Sequence, residues 1–422
     1  MRRILIIVAG MVVIIGLLVG AYFLFFSGKG ASLTVGGNPF GGGTSGTVTP
    51  GSDLPTDGTL QNAGTAIAPR FIKITDGPVA RGSVAMDVQI PNPNALPAST
   101  STVSLSTNGT TTTPTQQPTI PDTEVRFIDR TSGNVYSYLS HARSLTRISN
   151  KTLPGIQLAS WTPDGTRAYA QFLATSGGEE HVNTYSLTAT GGDGYLLAND
   201  LAEAQVAGSS TLFTLFSGST GSVGTISKAD GSNQRTLFSS VLSALVVHPT
   251  SGDLFATNKP SLNLNGYAFD INRTTGSFSR ILGPFPGLSV LPSPDGKNLI
   301  YSYTSGGTYY LRLYNVANHT STALPLATLT EKCTWTSNGL AVYCAVPTNL
   351  TGNLPDDWYQ GVTVFTDRLW RIDLNQRVAT LVVDPTQIGK VNVDAVNLTV
   401  DPNEDMLIFM DKHSGALYAY DL

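Results

Sequence analysis

Residues 288–326 read LSVLPSPDGKNLIYSYTSGGTYYLRLYNVANHTSTALPL and contain one complete copy of the unit from which most of the chain is built. Short runs of alternating apolar and polar residues are separated here by turns rich in Pro, Asp, Ser and Gly. Val290 leads into a Pro-Asp-Gly turn, after which the runs are Leu299 to Tyr303, Tyr309 to Val316 and Ser321 to Leu324. Runs of this length with a period of two predict β-strands. The segment therefore predicts a meander of four strands.

The turn after the first strand recurs along the chain and sets its period. Pro163, Pro249 and Pro294 occupy equivalent places in this turn; the first two lie 86 residues apart and the last two 45. Blades of four-stranded β-propellers repeat at about 40–45 residues, so the longer interval represents two repeats. Six copies are visible after Gly155. The sequence thus predicts an all-β fold, a β-propeller.

A seventh copy is interrupted by an insertion. Val125 to Asp129 and the two runs after it are typical of second, third and fourth strands, whereas their first strand lies upstream at Val84 to Gln89. A Ser-, Thr- and Pro-rich stretch, residues 91–122, separates the two parts and is expected to be disordered. The count is seven blades, with six or eight as alternatives.

The two ends of the predicted domain should meet in one blade. The chain ends on a third strand, which leaves the last blade without its outer strand. Phe71 to Thr75 has the pattern of a fourth strand and should complete that blade, because an exposed sheet edge is a liability that closure removes. Since neighbouring strands run in opposite directions, this strand should start on the face that carries the insertion at residues 91–122.

Two of the turns carry a family resemblance. TPDG at Thr162 and SPDG at Ser293 are each followed by a basic residue and an alternating strand. They resemble the WD40-like (PD40) repeats of TolB-type bacterial propellers, and the resemblance covers residues 70–422 as architecture. The chain lacks the α/β domain that precedes the propeller in TolB itself, and it lacks the Trp-Asp dipeptide of eukaryotic WD40 repeats. The resemblance implies an extracytoplasmic interaction role and transfers no catalytic residue.

The amino terminus has the pattern of a membrane anchor. Ile4 to Phe26 is an unbroken run of apolar and small residues, as long as the ~20 residues that cross a bilayer as a helix. Arg2 and Arg3 predict a cytoplasmic amino terminus and place the rest of the chain outside. The alternative is a cleaved signal peptide. We therefore divide the chain into an anchor (1–29), a flexible Gly/Ser/Thr/Pro linker (30–69) and the propeller (70–422), and expect the cytoplasmic membrane as its location.

Composition and motifs exclude several functions. A net charge of −4 gives no basic surface for nucleic acid. The five histidines fall at unrelated positions in different repeats, so we predict neither a metal nor a cofactor. His248 is interpreted as a turn residue. No motif of a nucleophilic hydrolase is present, and no catalytic residue is predicted.

One long insertion stands out as a candidate binding site. Val346 to Thr366 lengthens the sixth repeat and carries Asp356, Asp357, Trp358 and Tyr359 in a row. Acids and aromatics on a long loop suit a binding surface. The loop follows a second strand, so it should lie on the face opposite the start of the Phe71 strand. The alternative is a loop that folds back over the propeller and buries Trp358.

Cys333 and Cys344 are the only cysteines. If Asn338 and Gly339 form a two-residue hairpin turn, the two cysteines lie opposite each other on neighbouring strands. An oxidising exterior would favour a disulfide between them.

The sequence supports three functional hypotheses. The first is a membrane-tethered binding module for a protein or a cell-envelope polymer. The second is a propeller enzyme, a lyase or glycosidase acting on surface polysaccharide, and the third is a structural surface protein. A cluster of carboxylates with a Tyr or His in the central channel would favour the enzyme, and an exposed aromatic patch on one face would favour binding.

Overall fold

The computed structural model describes residues 69–93, 95, 117–208 and 210–422. Seven four-stranded antiparallel sheets form the blades of a β-propeller. Among these residues no helix has the length and apolar character needed to span a membrane. The predicted anchor, the linker up to residue 68 and most of the stretch 91–122 lie outside them.

Each blade runs from an inner to an outer strand. Blades one and two contain β2 (Val84–Pro91), β3 (Thr119–Ile128), β4 (Val135–Leu139), β5 (Ser144–Arg147), β6 (Ile156–Trp161), β7 (Arg167–Ser176), β8 (Glu179–Thr188) and β9 (Gly194–Leu196). Blades three and four contain β10 (Leu201–Ala207), β11 (Thr211–Gly218), β12 (Gly221–Lys228), β13 (Arg235–Ser240), β14 (Leu245–Pro249), β15 (Leu254–Asn258), β16 (Asn265–Ile271) and β17 (Phe278–Pro286). Blades five and six contain β18 (Ser289–Pro292), β19 (Asn298–Ser305), β20 (Thr308–Asn315), β21 (Thr320–Ala323), β22 (Cys333–Trp335), β23 (Ala341–Pro347), β24 (Asp367–Asp373) and β25 (Val378–Val383). Blade seven contains β26 (Ala395–Val400), β27 (Met406–Asp411), β28 (Leu417–Asp421) and, as its outer strand, β1 (Phe71–Lys73).

Three short helices interrupt the strands. They are a 3-10 turn (Thr330–Lys332), α1 (Asp356–Tyr359) and α2 (Pro385–Ile388). The first precedes the inner strand of blade six, and α1 lies in the long connection between β23 and β24.

Blade seven closes the ring as the sequence predicts. Phe71 is paired with Tyr420 and Lys73 with Tyr418 in an antiparallel ladder. The backbone N–H of Ile74 extends it by donating to the carbonyl of Leu417 at 2.8 Å. Strands from both ends of the described propeller therefore share one sheet.

The core lies between the blades. Second strands are sandwiched by neighbouring blades, and β27 is accordingly buried at all six positions, Met406–Asp411. Strands buried on both faces read as continuous apolar runs, which is the pattern here. Two tryptophans at equivalent places also join adjacent blades, because Trp161 donates its indole N–H to the carbonyl of Gly82 (3.3 Å) and Trp335 donates to that of Leu291 (3.1 Å).

The Pro-Asp-Gly turns have the predicted geometry. The glycines, Gly165 and Gly296, have φ values of 64° and 72°. The preceding carboxylates accept hydrogen bonds from the backbone N–H groups of Thr166 and Lys297, both at 3.1 Å. These aspartates therefore stabilise turns.

One predicted boundary is wrong. Residues 91–122 were expected to be disordered throughout, but Thr119–Asp122 belong to β3 and continue its ladder to Pro91. The carboxylate of Asp122 explains the extension, since it accepts hydrogen bonds from the hydroxyl of Ser140 (2.6 Å) and the backbone N–H of His141 (2.8 Å). Residues 94 and 96–116 of the insertion lie outside the described part.

The cysteines are paired across two strands. Cys333 and Cys344 are register partners in the β22–β23 ladder, as the two-residue turn predicts. Their sulfur atoms are bonded at 2.06 Å, and their Cα atoms lie 4.1 Å apart. This disulfide joins the inner strand of blade six to the next.

Candidate functional site

The connection after β23, residues 348–366, crosses the mouth of the central channel, and we call it the cap segment. It leaves blade six and reaches blades four and five, because Asp356 accepts a hydrogen bond from the backbone N–H of Leu262 (2.6 Å) and the hydroxyl of Thr304 donates to the carbonyl of Leu354 (3.3 Å). We call the face that it covers the cap face; it also carries the other connections after second and fourth strands. The start of β1 lies on the opposite face, beside the turn at Arg143.

The structure places the four predicted binding residues together in α1, but it does not present the aromatics outward. Only 4% of Trp358 is exposed, and its indole N–H donates to the carboxylate of Asp394 at 3.0–3.2 Å. The hydroxyl of Tyr359 donates to the carboxylate of Glu331. Asp356 and Asp357 accept backbone N–H groups of Leu262 and Asn353. The expectation of an exposed aromatic patch is therefore wrong, and the segment covers the propeller because the buried carboxylate of Asp394 and the half-buried carboxylate of Glu331 bind its aromatic side chains.

A buried ionic cluster holds the cap segment in place. Lys332 is fully buried, and its ammonium group lies 2.7 Å from Asp367 and 2.5 Å from Asp394. Asp394 also accepts from the backbone N–H of Phe365 in the cap segment (3.1 Å). Burial raises the pKa of Asp367 to about 6, while the charge of Lys332 opposes that shift. One lysine thus balances two carboxylates in the interior.

A second lysine binds the cap segment from blade seven. Lys412, which follows β27, donates to the carbonyl of Trp358, and its ammonium group lies 4.1 Å from the centre of the Trp358 ring. Burial lowers the pKa of Lys412, and the charge of Asp394 opposes that shift. The cap segment is thereby fixed to blade seven as well as to blades four, five and six.

Glu331 marks the centre of the channel. It lines three cavities of about 800, 560 and 370 Å³. Its carboxylate accepts a hydrogen bond from the hydroxyl of Tyr359 and lies 3.0 Å from the hydroxyl of Ser289 and 3.3 Å from that of Thr330. Since the Ser289 and Thr330 hydroxyls are also bonded to each other at 2.6 Å, one of them donates to the other and the remaining proton is donated to Glu331.

Two more titratable groups belong to the inner strands. His248 was interpreted as a turn residue, but it lies in β14, pairs with Phe255 and lines the channel. Burial lowers its pKa to about 4. Burial raises the pKa of Glu203 to about 8, against the effect of a hydrogen bond from the backbone N–H of Val247. Both groups are therefore uncharged at neutral pH.

The sequence reasoning did not identify Glu331, Lys332, Asp367 or Asp394. Each of these four residues lies at or just before the start of a predicted strand, in a chain in which only 13% of the residues are charged. That position is the feature of the sequence that could have identified them. Their partners lie 28–63 residues away and become visible only in the fold.

The rim of the cap face carries exposed aliphatic side chains. We define the apolar rim as five residues from three connections: Val241 (88% exposed), Leu242 (38%), Leu264 (62%), Val362 (72%) and Val364 (59%). The three connections meet around a cavity of about 460 Å³ lined by their neighbours Ala244, Leu264 and Gln360. Exposed aliphatic groups gathered in this way are typical of interaction sites.

Within the described ranges, no group of three or more His, Cys, Asp or Glu residues could hold a metal ion. The carboxylates below the cap segment, those of Glu331 and Asp394, are bound instead by lysine, indole, hydroxyl and backbone groups.

No protein-family model matches the chain, and no curated protein does. The fold is similar to that of an oligogalacturonate lyase from Vibrio parahaemolyticus, with 9% identity, a TM-score of 0.50 and coverage of 71% of this chain and 86% of the other. A second oligogalacturonate lyase, in complex with manganese, has 11% identity, a TM-score of 0.49 and the same coverage. TolB from Acinetobacter baumannii has 11% identity, a TM-score of 0.40 and coverage of 71% of this chain and 76% of that protein. At these identities the likeness concerns the fold alone.

Proposed function

We propose that the protein is a binding module whose cap face takes up a partner protein through the apolar rim. The observation that carries the proposal is the exposure of five aliphatic side chains on three connections of the cap face. Each of the three connections contributes to the lining of one cavity, and Leu264 is the rim residue that lines it. Burying such groups against a partner contributes roughly 25 cal/mol for each Å² removed from water. A rigid cap segment supports the rim, so binding requires little ordering of the protein itself.

The rest of the cap face also suits a docking surface. Val362 and Val364 of the rim belong to the cap segment, whose backbone and side chains are already bound to blades four to seven. Aliphatic groups next to polar backbone and carboxylate groups resemble the apolar centre and polar border of protein interfaces. An envelope polymer, the other partner predicted from the sequence, offers less apolar surface to match the rim.

Placing charges on the rim tests the proposal. We expect Leu264→Asp with Val362→Asp to reduce partner capture at least tenfold while the melting temperature stays close to that of the unchanged protein, because both side chains are exposed. The measurement is quantitative capture from envelope extracts with the full chain as bait, followed by affinity measurement on the purified partner.

Val378→Asp with Leu381→Asp is the matched control. Both side chains are exposed on the outer strand of blade six (52% and 45%), so this variant adds the same two charges away from the rim. Loss of capture in both variants, or in neither, would contradict binding through the rim. Release of sugars from purified envelope polysaccharide by the full chain would favour the enzyme hypothesis, with the channel residues Glu331, Tyr359 and His248 as its candidates.

We further propose that Ile4 to Phe26 holds this module outside the cytoplasmic membrane. The support is the sequence pattern of that run and the preceding arginines. Protease added to intact cells should then release a fragment that begins between Ser27 and Pro69, which amino-terminal sequencing of the released material would identify. Cleavage that occurs only after lysis would contradict this topology.

A further inference from the structure

A cavity of about 560 Å³ lies at the cap end of the channel, beside α1 and blades one, two and seven. Three cationic side chains line it: Arg81 before β2, Arg130 after β3 and Lys412 after β27. Segments of the chain that are far apart in sequence thus bring three positive charges to one cavity in a protein with a net charge of −4.

These cations lack anionic partners within the part of the chain that the structure describes. Ion pairs are found elsewhere in the propeller, but none involves Arg81, Arg130 or Lys412. Arg130 donates to the side-chain oxygen of Gln157, and the guanidinium of Arg81 has no hydrogen-bond partner among the described residues. One carboxylate, that of Glu331, lines the cavity. It already accepts hydrogen bonds from Tyr359 and from neighbouring hydroxyl groups.

The cations also act on one another. Burial lowers the pKa of Lys412 and the negative charge of Asp394 opposes that shift, whereas the positive charges of Lys332 and Arg81 add to it. An anion placed between Arg81 and Lys412 would offset this repulsion and would gain charge-assisted hydrogen bonds.

The other walls of the cavity are apolar. Val79, Leu158, Val396 and Met410 lie beside the cations, and Trp358 forms part of the lining. An inorganic anion would leave these walls without a partner, whereas an organic anion can contact both kinds of surface.

We propose that this cavity binds a small organic carboxylate, with its carboxylate between Arg81 and Lys412 and its carbon body against Leu158, Val396 and Met410. Arg130, held by Gln157, forms the outer side of the site. The site is separate from the apolar rim, and it does not depend on the function proposed for that rim.

Titration calorimetry on the full chain with benzoate, citrate, benzamide and inorganic phosphate tests the site. We expect at least one carboxylate to bind with a Kd of about 1 mM or tighter, and benzamide, the neutral match of benzoate, to bind at least tenfold more weakly. Failure of both carboxylates to bind, or equal affinity for benzoate and benzamide, would overturn the proposal. Phosphate bound as tightly as the better carboxylate would overturn the ligand class.

Arg81→Gln locates the binding. Because Arg81 is exposed and its side chain makes no hydrogen bond with the described residues, the variant should fold normally and should weaken the carboxylate about tenfold. Arg147→Gln, an exposed arginine on the outer strand of blade one, is the matched control and should bind as the unchanged protein does. Unchanged affinity in Arg81→Gln, or equal losses in both variants, would place the bound carboxylate elsewhere and refute the site.

Discussion

Replacing Lys332 by Met is expected to destabilise the propeller by about 3–5 kcal/mol, the usual cost of removing one partner from a buried ion pair. The substitution keeps most of the apolar stem of the side chain but leaves Asp367 and Asp394 buried without a cation. Asp394 also holds Trp358 and the cap segment, so the cap should loosen with the cluster. Chemical denaturation monitored by tryptophan fluorescence measures the change.

Lys228→Met is the matched control for this prediction. Lys228 ends β12 with an exposed side chain, and its replacement should change the free energy of unfolding by less than about 0.5 kcal/mol. A similar small change for Lys332→Met would show that the buried cluster contributes little to stability.

The second large effect is expected from the amino-terminal strand. Deleting residues 1–76 removes β1 and with it the ladder to β28, the contacts of the Phe71 ring with Phe409 and Tyr418, and the hydrogen bond to Leu417. The deletion also removes Ile74, which is buried. Loss of one buried aliphatic side chain of this size typically costs about 2–5 kcal/mol, and the uncovered edge of β28 should promote aggregation. Thermal melting and size-exclusion chromatography measure both consequences.

A protein that lacks only residues 1–69 is the control for this deletion. It keeps all of β1 and should remain folded, soluble and monodisperse. If the two truncated proteins melt at the same temperature, β1 does not contribute to closure in solution.

Much of the fold follows from local pattern. The period of the turns predicts the blades, and the strand at Phe71, which has no partner in its own part of the sequence, predicts ring closure. Both predictions are possible because strand geometry and the need to pair the edge of a sheet are properties of short segments. The register of Cys333 with Cys344 likewise depends on one turn. These features can be predicted without knowing which distant residues are in contact.

The site could be predicted only in part, because its geometry depends on distant partners. The sequence marks Trp358 and Tyr359 as unusual, but their burial is decided by Asp394 and Glu331, which belong to other segments. Similarly, nothing in the sequence distinguishes Lys332 from other charged residues, and its role follows from the two carboxylates that β24 and the segment before β26 bring to it. Pairings between segments more than 25 residues apart leave no periodic signal.

The closure of blade seven has a consequence for the order of events during synthesis. The ribosome makes Phe71 before Tyr420, its partner in the ladder, and the two are separated by nearly the whole propeller. At typical rates of about 5–20 residues per second, translation of the intervening chain takes roughly 20–70 seconds. Throughout that time β1 has no strand to pair with. The ring of the nascent protein can therefore close only after β28 has been synthesised.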